Sequence, residues 1–324
     1  MDKIKIGQIG VGHAHAAGKM ETYLASEDFE VVGVAEPDEK LRAAAANNPL
    51  YRDLNFMSRD ELLNTRGLRA VAVETEVRDL LENAQACVDA GMHIHLDKPA
   101  GESLETFRHL LDTAARKHLA VQMGYMYRYN PAVTLLRDFL KRGWLGEPFE
   151  LSAVMSKVVP AADRASLADY RGGIMFELGC HLTDLVVGLL GKPERVTPFA
   201  RQAVPSDQLA DNMLAVFEYP RAIATIKSSA AEVAGGDRRH LTLCGTEGTF
   251  HIQPLDKPSV RMAFSQKRGE YKAAYQTVDV GAYKRYVADA ADLAAIIRDQ
   301  KETDWPYDHD LAVQTALLTA CGMS

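Results

Sequence analysis

The start of the chain constrains its fold more than any other feature. Residues 4–9 form a short isoleucine-rich run that breaks into Gly10-Val11-Gly12-His13-Ala14-His15, and residues 13–24 then carry helical spacing. A strand ending in a glycine turn that opens a helix is the first half of a βαβ unit. Runs at 29–35, 70–73, 92–96 and 120–123 read as further strands; 39–47, 59–65, 79–90 and 104–118 have helix-forming composition. Such alternation calls for right-handed crossovers and a parallel sheet, so residues 1–124 are expected to form one α/β domain.

The pattern then changes. After a helix at 132–142, strand-like runs follow one another at 149–158, 195–202, 212–219, 223–229, 240–244 and 249–253. Turn-sized gaps between such runs are how an antiparallel sheet is written. A helix at 175–190 is embedded among them, and helices at 283–300 and 311–321 close the chain. Residues 125–324 are thus expected to form an α+β domain with a large, mainly antiparallel sheet. A length of 324 residues suits two domains.

Composition removes several function classes. Lys plus Arg number 37 against 44 Asp plus Glu, a net charge of −7, which leaves no electrostatic footprint for nucleic acid. The longest apolar runs, such as 185–190, fall far short of the roughly 18 to 20 residues that span a bilayer, so no membrane partner is expected. The start runs directly into a strand without a signal region, which points to the cytoplasm. Four scattered cysteines, Cys87, Cys180, Cys244 and Cys321, read as free thiols.

With 23 glycines in the chain, a Gly-x-Gly triplet means little alone. Its position between the first strand and first helix carries the weight. There Gly10 makes the tight turn, Gly12 leaves room for a pyrophosphate, and the residues opening the helix, Val11, His13 and Ala14 among them, offer backbone donors. The third glycine of the dinucleotide fingerprint is replaced by His15. The second strand ends at Ala35-Glu36-Pro37, where a carboxylate accepts hydrogen bonds from a ribose 2′-hydroxyl and repels a 2′-phosphate. Glu36 thus favours NAD over NADP, and the first domain reads as a Rossmann domain.

Further motifs recur in register: Asp97-Lys98-Pro99 after the fourth of these strands, Arg128-Tyr129-Asn130-Pro131, Gly143 to Pro148, Gly172-Gly173 through His181 to Asp184, and Gly245 to Phe250. On these the chain resembles the Gfo/Idh/MocA family of nicotinamide-dependent oxidoreductases, across nearly its whole length. The family has Glu-Lys-Pro where this sequence has Asp97-Lys98-Pro99, and a Gly-Gly-Gly-x-x-x-Asp-x-Gly-x-His-x-x-Asp pattern where it has Ile174 for the third glycine and Glu177 for the aspartate. Thr75-Glu76 stands where Thr-Pro is usual.

A lysine at the carboxyl end of a parallel strand lies where open α/β sheets bind ligands. Lys98 there can hydrogen-bond the reacting hydroxyl and stabilise its alkoxide character, the role of the matching lysine in the family. Glu177, His181 and Asp184 stand at i, i+4 and i+7, one helical face. An imidazole beside a carboxylate suits a general base for alcohol oxidation, and the resemblance makes His181 the acid–base group and Glu177 a substrate-orienting carboxylate. Tyr127, Arg128, Arg171 and Asp184 are candidates for the substrate pocket, Arg164 and Tyr170 for the pocket or a solvated loop, and Thr75 and Asp97 for the cofactor side.

His13-x-His15 and His93-x-His95 invite a metal reading, but nothing in the sequence completes a ligand set around either pair, so no metal is expected. The expected reaction is NAD-dependent oxidation of a secondary alcohol on a sugar, glycoside or polyol such as an inositol. Two alternatives stay open: a catalytically silent nucleotide- and sugar-binding regulator on the same scaffold, and a reductase of a non-sugar carbonyl. The resemblance also implies a homodimer or homotetramer.

Overall fold

Strands buried on both faces belong to a sheet covered by helices on each side. The early strands fit this: β1 (Ile4–Ile9), β2 (Phe29–Ala35), β3 (Phe56–Met57), β4 (Leu68–Val73), β5 (His93–Leu96) and β6 (Val121–Met123). They form a six-stranded sheet in the order β3-β2-β1-β4-β5-β6, every neighbouring pair parallel. The order reverses between β1 and β4, the switch point that opens a crevice beyond the strand ends. The computed structural model describes residues 2–168, 170–205 and 207–323.

Five helices cross between these strands: α1 (Ala16–Ala25), α2 (Glu39–Ala46), α3 (Arg59–Leu63), α4 (Val77–Asp89) and α5 (Leu104–Arg116). Their starts follow local chemistry. The Asp38 carboxylate accepts from the amides of Lys40 and Leu41, Ser58 and Glu61 form a reciprocal capping box, and Ser103 accepts from Thr106 N.

The chain divides into two compact units: one reaches Met126 and takes in Lys284–Leu311, the other holds Tyr127–Tyr283 and the residues from Ala312 onward. The second unit contains α6 (Pro131–Lys141), α7 (Ala161–Ala168) and α8 (Cys180–Leu190) with eight strands: β7 (Pro148–Val154), β8 (Arg195–Arg201), β9 (Asn212–Glu218), β10 (Ile223–Ser229), β11 (His240–Gly245), β12 (Gly248–Ile252), β13 (Val260–Phe264) and β14 (Gln276–Val278). Their order is β14-β13-β12-β11-β7-β10-β9-β8. All pairs are antiparallel except β7 with β10. Met213, Ala215 and Phe217 of β9 point into the core while their neighbours are half-exposed, the alternation of a sheet with one covered face.

Three features depart from the sequence expectation. β7 is inserted at the centre of the sheet, so successive strands do not form a simple meander. Strands β13 and β14 and helix α7 occupy stretches where no element was expected. The helix expected over 175–190 is two pieces, a π-helical turn over Met175–Gly179 continued by α8. Extra-residue turns of this kind re-aim side chains and occur often at functional sites.

Two further helices, α9 (Val287–Ile297) and α10 (Tyr307–Ala320), complete the fold. Ala290, Leu293, Ala294 and Ile297 of α9 join Ile4, Ile6, Tyr23, Phe29, Ala70 and Ala72 in one core on the first sheet. Met20, Val34, Ala45 and Tyr51 form a second cluster. All four cysteines are free thiols. No helix among the described residues is long and apolar enough to cross a membrane.

Candidate active site

The turn after β1 is shaped by one close approach. Gly10 has φ +92°, and a Cβ there would lie 2.6 Å from the backbone of Glu74 and Thr75 at the end of β4. Only glycine allows the turn to press against the neighbouring strand end. Beside it opens a cleft of about 1140 Å³, lined among others by Gly12, Glu36, Leu41, Phe56 and Thr75.

Glu36 is buried at the end of β2. Its Oε2 accepts from Val11 N at 2.8 Å and its Oε1 from Asp38 N at 2.9 Å, so the carboxylate braces both flanking turns. Each carboxylate oxygen keeps a second lone pair for a ribose hydroxyl. Thr75 Oγ1 is buried without a hydrogen-bond partner. A polar atom left open on a cleft wall is what a bound ligand would satisfy. The residues present therefore fit a dinucleotide, which Gly12, Glu36 and Thr75 on the cleft wall would hold. Arg42, Arg59 and Arg78 also line the cleft, but Arg59 Nη1 donates to Asn83 Oδ1 at 3.1 Å and Arg78 pairs with Glu76.

Lys98 follows Asp97 just past β5 and is 1% exposed, with a cis peptide to Pro99. Asp97 is the hub of a buried charge network. Its Oδ2 lies 2.6 Å from His13 Nδ1 and its Oδ1 3.1 Å from His15 Nδ1, and Lys19 Nζ donates both to Asp97 Oδ1 at 3.1 Å and to Glu74 Oε1 at 2.9 Å. His15, which takes the place of the third fingerprint glycine, thus spends its ring on Asp97. Burial disfavours charge on both carboxylates, yet Lys19 and the two imidazoles hold Asp97 well below the usual carboxylate range. Glu74 goes the other way: burial raises it, Lys19 opposes, and the Asp97 charge adds to the rise. One carboxylate keeps its charge and the other favours its proton, as like charges sharing a dry site must.

In the second unit, His181 opens α8 and is 3% exposed. The Tyr127 ring meets it edge-on, centroids 5.1 Å apart at 86°. Tyr127 Oη donates to Asp256, whose other oxygen accepts from Arg239 Nη1 at 2.8 Å. Glu177 lies in the π-helical turn with its Oε1 3.2 Å from Lys157 Nζ. Arg128 and Asp184 are spent largely on each other: Nε and Nη2 donate to Oδ1 at 2.9 and 2.6 Å, both side chains 1% exposed. Such a pair fixes the Met126–Tyr129 turn to α8. Arg171 is exposed. Arg164 lies neither in a loop nor free: it sits in α7, paired with Asp207 and, at 2.8 Å, with Asp211. Gly179 admits the Met175 side chain and Ser228 of β10 where a Cβ would stand.

Residues 4–125 match the oxidoreductase family with an NAD-binding Rossmann fold, and residues 133–251 match the GFO/IDH/MocA C-terminal domain. The chain belongs to the Gfo/Idh/MocA family. Among family relatives, the rhizopine catabolism protein MocA of Rhizobium meliloti is 25% identical over 194 residues, 59% of each chain. A dTDP-3,4-didehydro-2,6-dideoxy-alpha-D-glucose 3-reductase of Streptomyces violaceoruber is 28% identical over 195 residues, 60% of this chain and 56% of that one. The matches thus span less than two thirds of these relatives. A levoglucosan dehydrogenase, solved in complex with NADH and levoglucosan, shares the fold with a TM-score of 0.83 at 18% identity, covering 99% of this chain and 98% of that one.

Lys19, Glu74, Lys157, Arg239 and Asp256 escaped the sequence reading. Only the first two left a trace: Lys19 stands one helical turn after His15, and Glu74 directly precedes Thr75. Asp256 lies beyond the expected strands, where no pattern marks it.

Proposed function

We propose that this protein is an NAD-dependent dehydrogenase that moves a hydride between a secondary alcohol of a sugar, glycoside or polyol and the nicotinamide. The observation that carries it is the cleft at the carboxyl edge of the first sheet, walled by Glu36 and Thr75, with Lys98 buried at a nearby strand end. Bound NAD supplies the hydride acceptor. The chain supplies the rest: the Lys98 ammonium stabilises negative charge growing on the substrate oxygen, and His181 takes the hydroxyl proton as general base. Glu177 orients neighbouring hydroxyls, and the Tyr127 ring limits how the imidazole turns. Arg128 and Asp184 serve as a brace. The sugar class draws support from the 3-reductase and the levoglucosan dehydrogenase.

NAD is preferred over NADP because the Glu36 carboxylate repels a 2′-phosphate. Purified protein offered NAD with pyranosides, sugar nucleotides and inositols should form reduced nicotinamide with at least one class, and much more slowly with NADP. Faster turnover with NADP would overturn the Glu36 assignment and assign the cleft arginines to the phosphate. Tight NADH binding with no turnover on any class would favour a silent binding protein.

A further inference from the structure

The sequence offers two histidines two residues apart and nothing beside them to complete a ligand set. The fold brings the missing group from 82 residues away, since Asp97 at the end of β5 meets His13 and His15 in the turn before α1. One ring nitrogen of each histidine and a carboxylate oxygen lie within 4.8 Å of one another. We propose that His13, His15 and Asp97 form a binding site for one divalent cation of the zinc class.

Both imidazoles aim the same ring atom, Nδ1, at one carboxylate, at 2.6 Å for His13 and 3.1 Å for His15. Around a zinc ion with bonds of about 2.0 to 2.1 Å, tetrahedral ligand atoms stand roughly 3.3 Å apart. Small side-chain rotations therefore convert these contacts into a coordination set. The His15 amide also points at His13 Nδ1, at 3.4 Å. A bound ion would take the Nδ1 lone pair in place of this long amide contact.

The surroundings suit a cation. Lys19 bridges Asp97 Oδ1 and Glu74 and so fixes the carboxylate, whose Oδ2 faces His13 and whose Oδ1 is shared by Lys19 and His15. The imidazole side chains are 18% and 19% exposed, which gives an entry path. Two nitrogens and one oxygen select a zinc-class ion over calcium or magnesium, which take oxygen shells. Three protein ligands leave a further position open to water or another oxygen donor.

The test uses the full-length protein after dialysis against a chelator, titrated with Co²⁺ while visible absorption is followed. One equivalent should bind, produce the d–d bands of a four- or five-coordinate ion, and be displaced by Zn²⁺. His13→Ala and His15→Ala should each weaken binding at least about tenfold, with circular dichroism reporting the fold; His15→Gln replaces His15→Ala if the alanine variant does not fold. Absence of a one-equivalent site in the wild-type protein would overturn the proposal. So would binding that is unchanged when the histidines are replaced.

Discussion

Asp289 shows what burial does to a single residue. It lies on α9, 2% exposed, and burial pushes its carboxyl up to about 6, with Lys19 opposing and Asp292 adding to the rise. The folded protein therefore holds a proton that the unfolded chain, with an aspartate near 3.9, has released. Stability from this group is fully present below about pH 3.9 and is lost as pH rises through about 6, at most about 3 kcal/mol. Asp289→Asn keeps the shape and removes the titration. Urea unfolding at pH 4 and pH 7.5 should show the variant gaining on the wild type at the higher pH; equal differences at both would refute the assignment. Single residues are also where the sequence speaks most directly about a candidate site. Gly10, Glu36, Thr75 and Lys98 could be picked out because each occupies a strand end or turn with a chemical requirement. Asp97 with its histidines, and Tyr127 with Asp256, could not be paired, because partners from distant strands leave no periodic signal.

Among the elements, the segment from Gly172 through α8 carries most of the second unit's chemistry and shows where pattern reading stops. Helical spacing placed Glu177, His181 and Asp184 on one face, but the π-helical turn over Met175–Gly179 separates Glu177 from the regular helix that holds the other two. A π turn has no compositional signature, so only packing reveals it: Met175 and Ser228 fill the space beside Gly179. The entry to this turn depends on Gly173, whose φ is +53° and where a Cβ would stand 2.5 Å from Ala210 O. Gly173→Ala meets both backbone strain and a backbone oxygen, so it should cost about 1 to 3 kcal/mol. Denaturant unfolding measures this, and an unchanged midpoint would show that the turn relaxes freely. The strands illustrate the same limit: strand-like runs with a turn-sized gap between them identify β9 and β10, whereas the central place of β7 follows from pairing across the chain.

At the scale of the whole molecule, the strand–helix alternation was enough to indicate a parallel nucleotide-binding sheet, and the later run of strands a mainly antiparallel one. The return of α9 to the first sheet was not legible, since its apolar residues would suit either unit. The chain belongs to the Gfo/Idh/MocA family, and its own residues set its particulars: Asp97 for glutamate before Lys98, Glu177 for aspartate, His15 for the third glycine. The central claim is that hydride passes directly between the carbinol carbon of a sugar or polyol and NAD, with Lys98 at the substrate oxygen. It is tested most directly with the best alcohol from the substrate panel, deuterated at that carbon. The account predicts that the deuterium appears on the reduced nicotinamide, and that Lys98→Met slows this transfer by about 10² to 10⁴ while NADH binding persists. Deuterium found in water or retained in the product, or transfer undiminished in Lys98→Met, would contradict it.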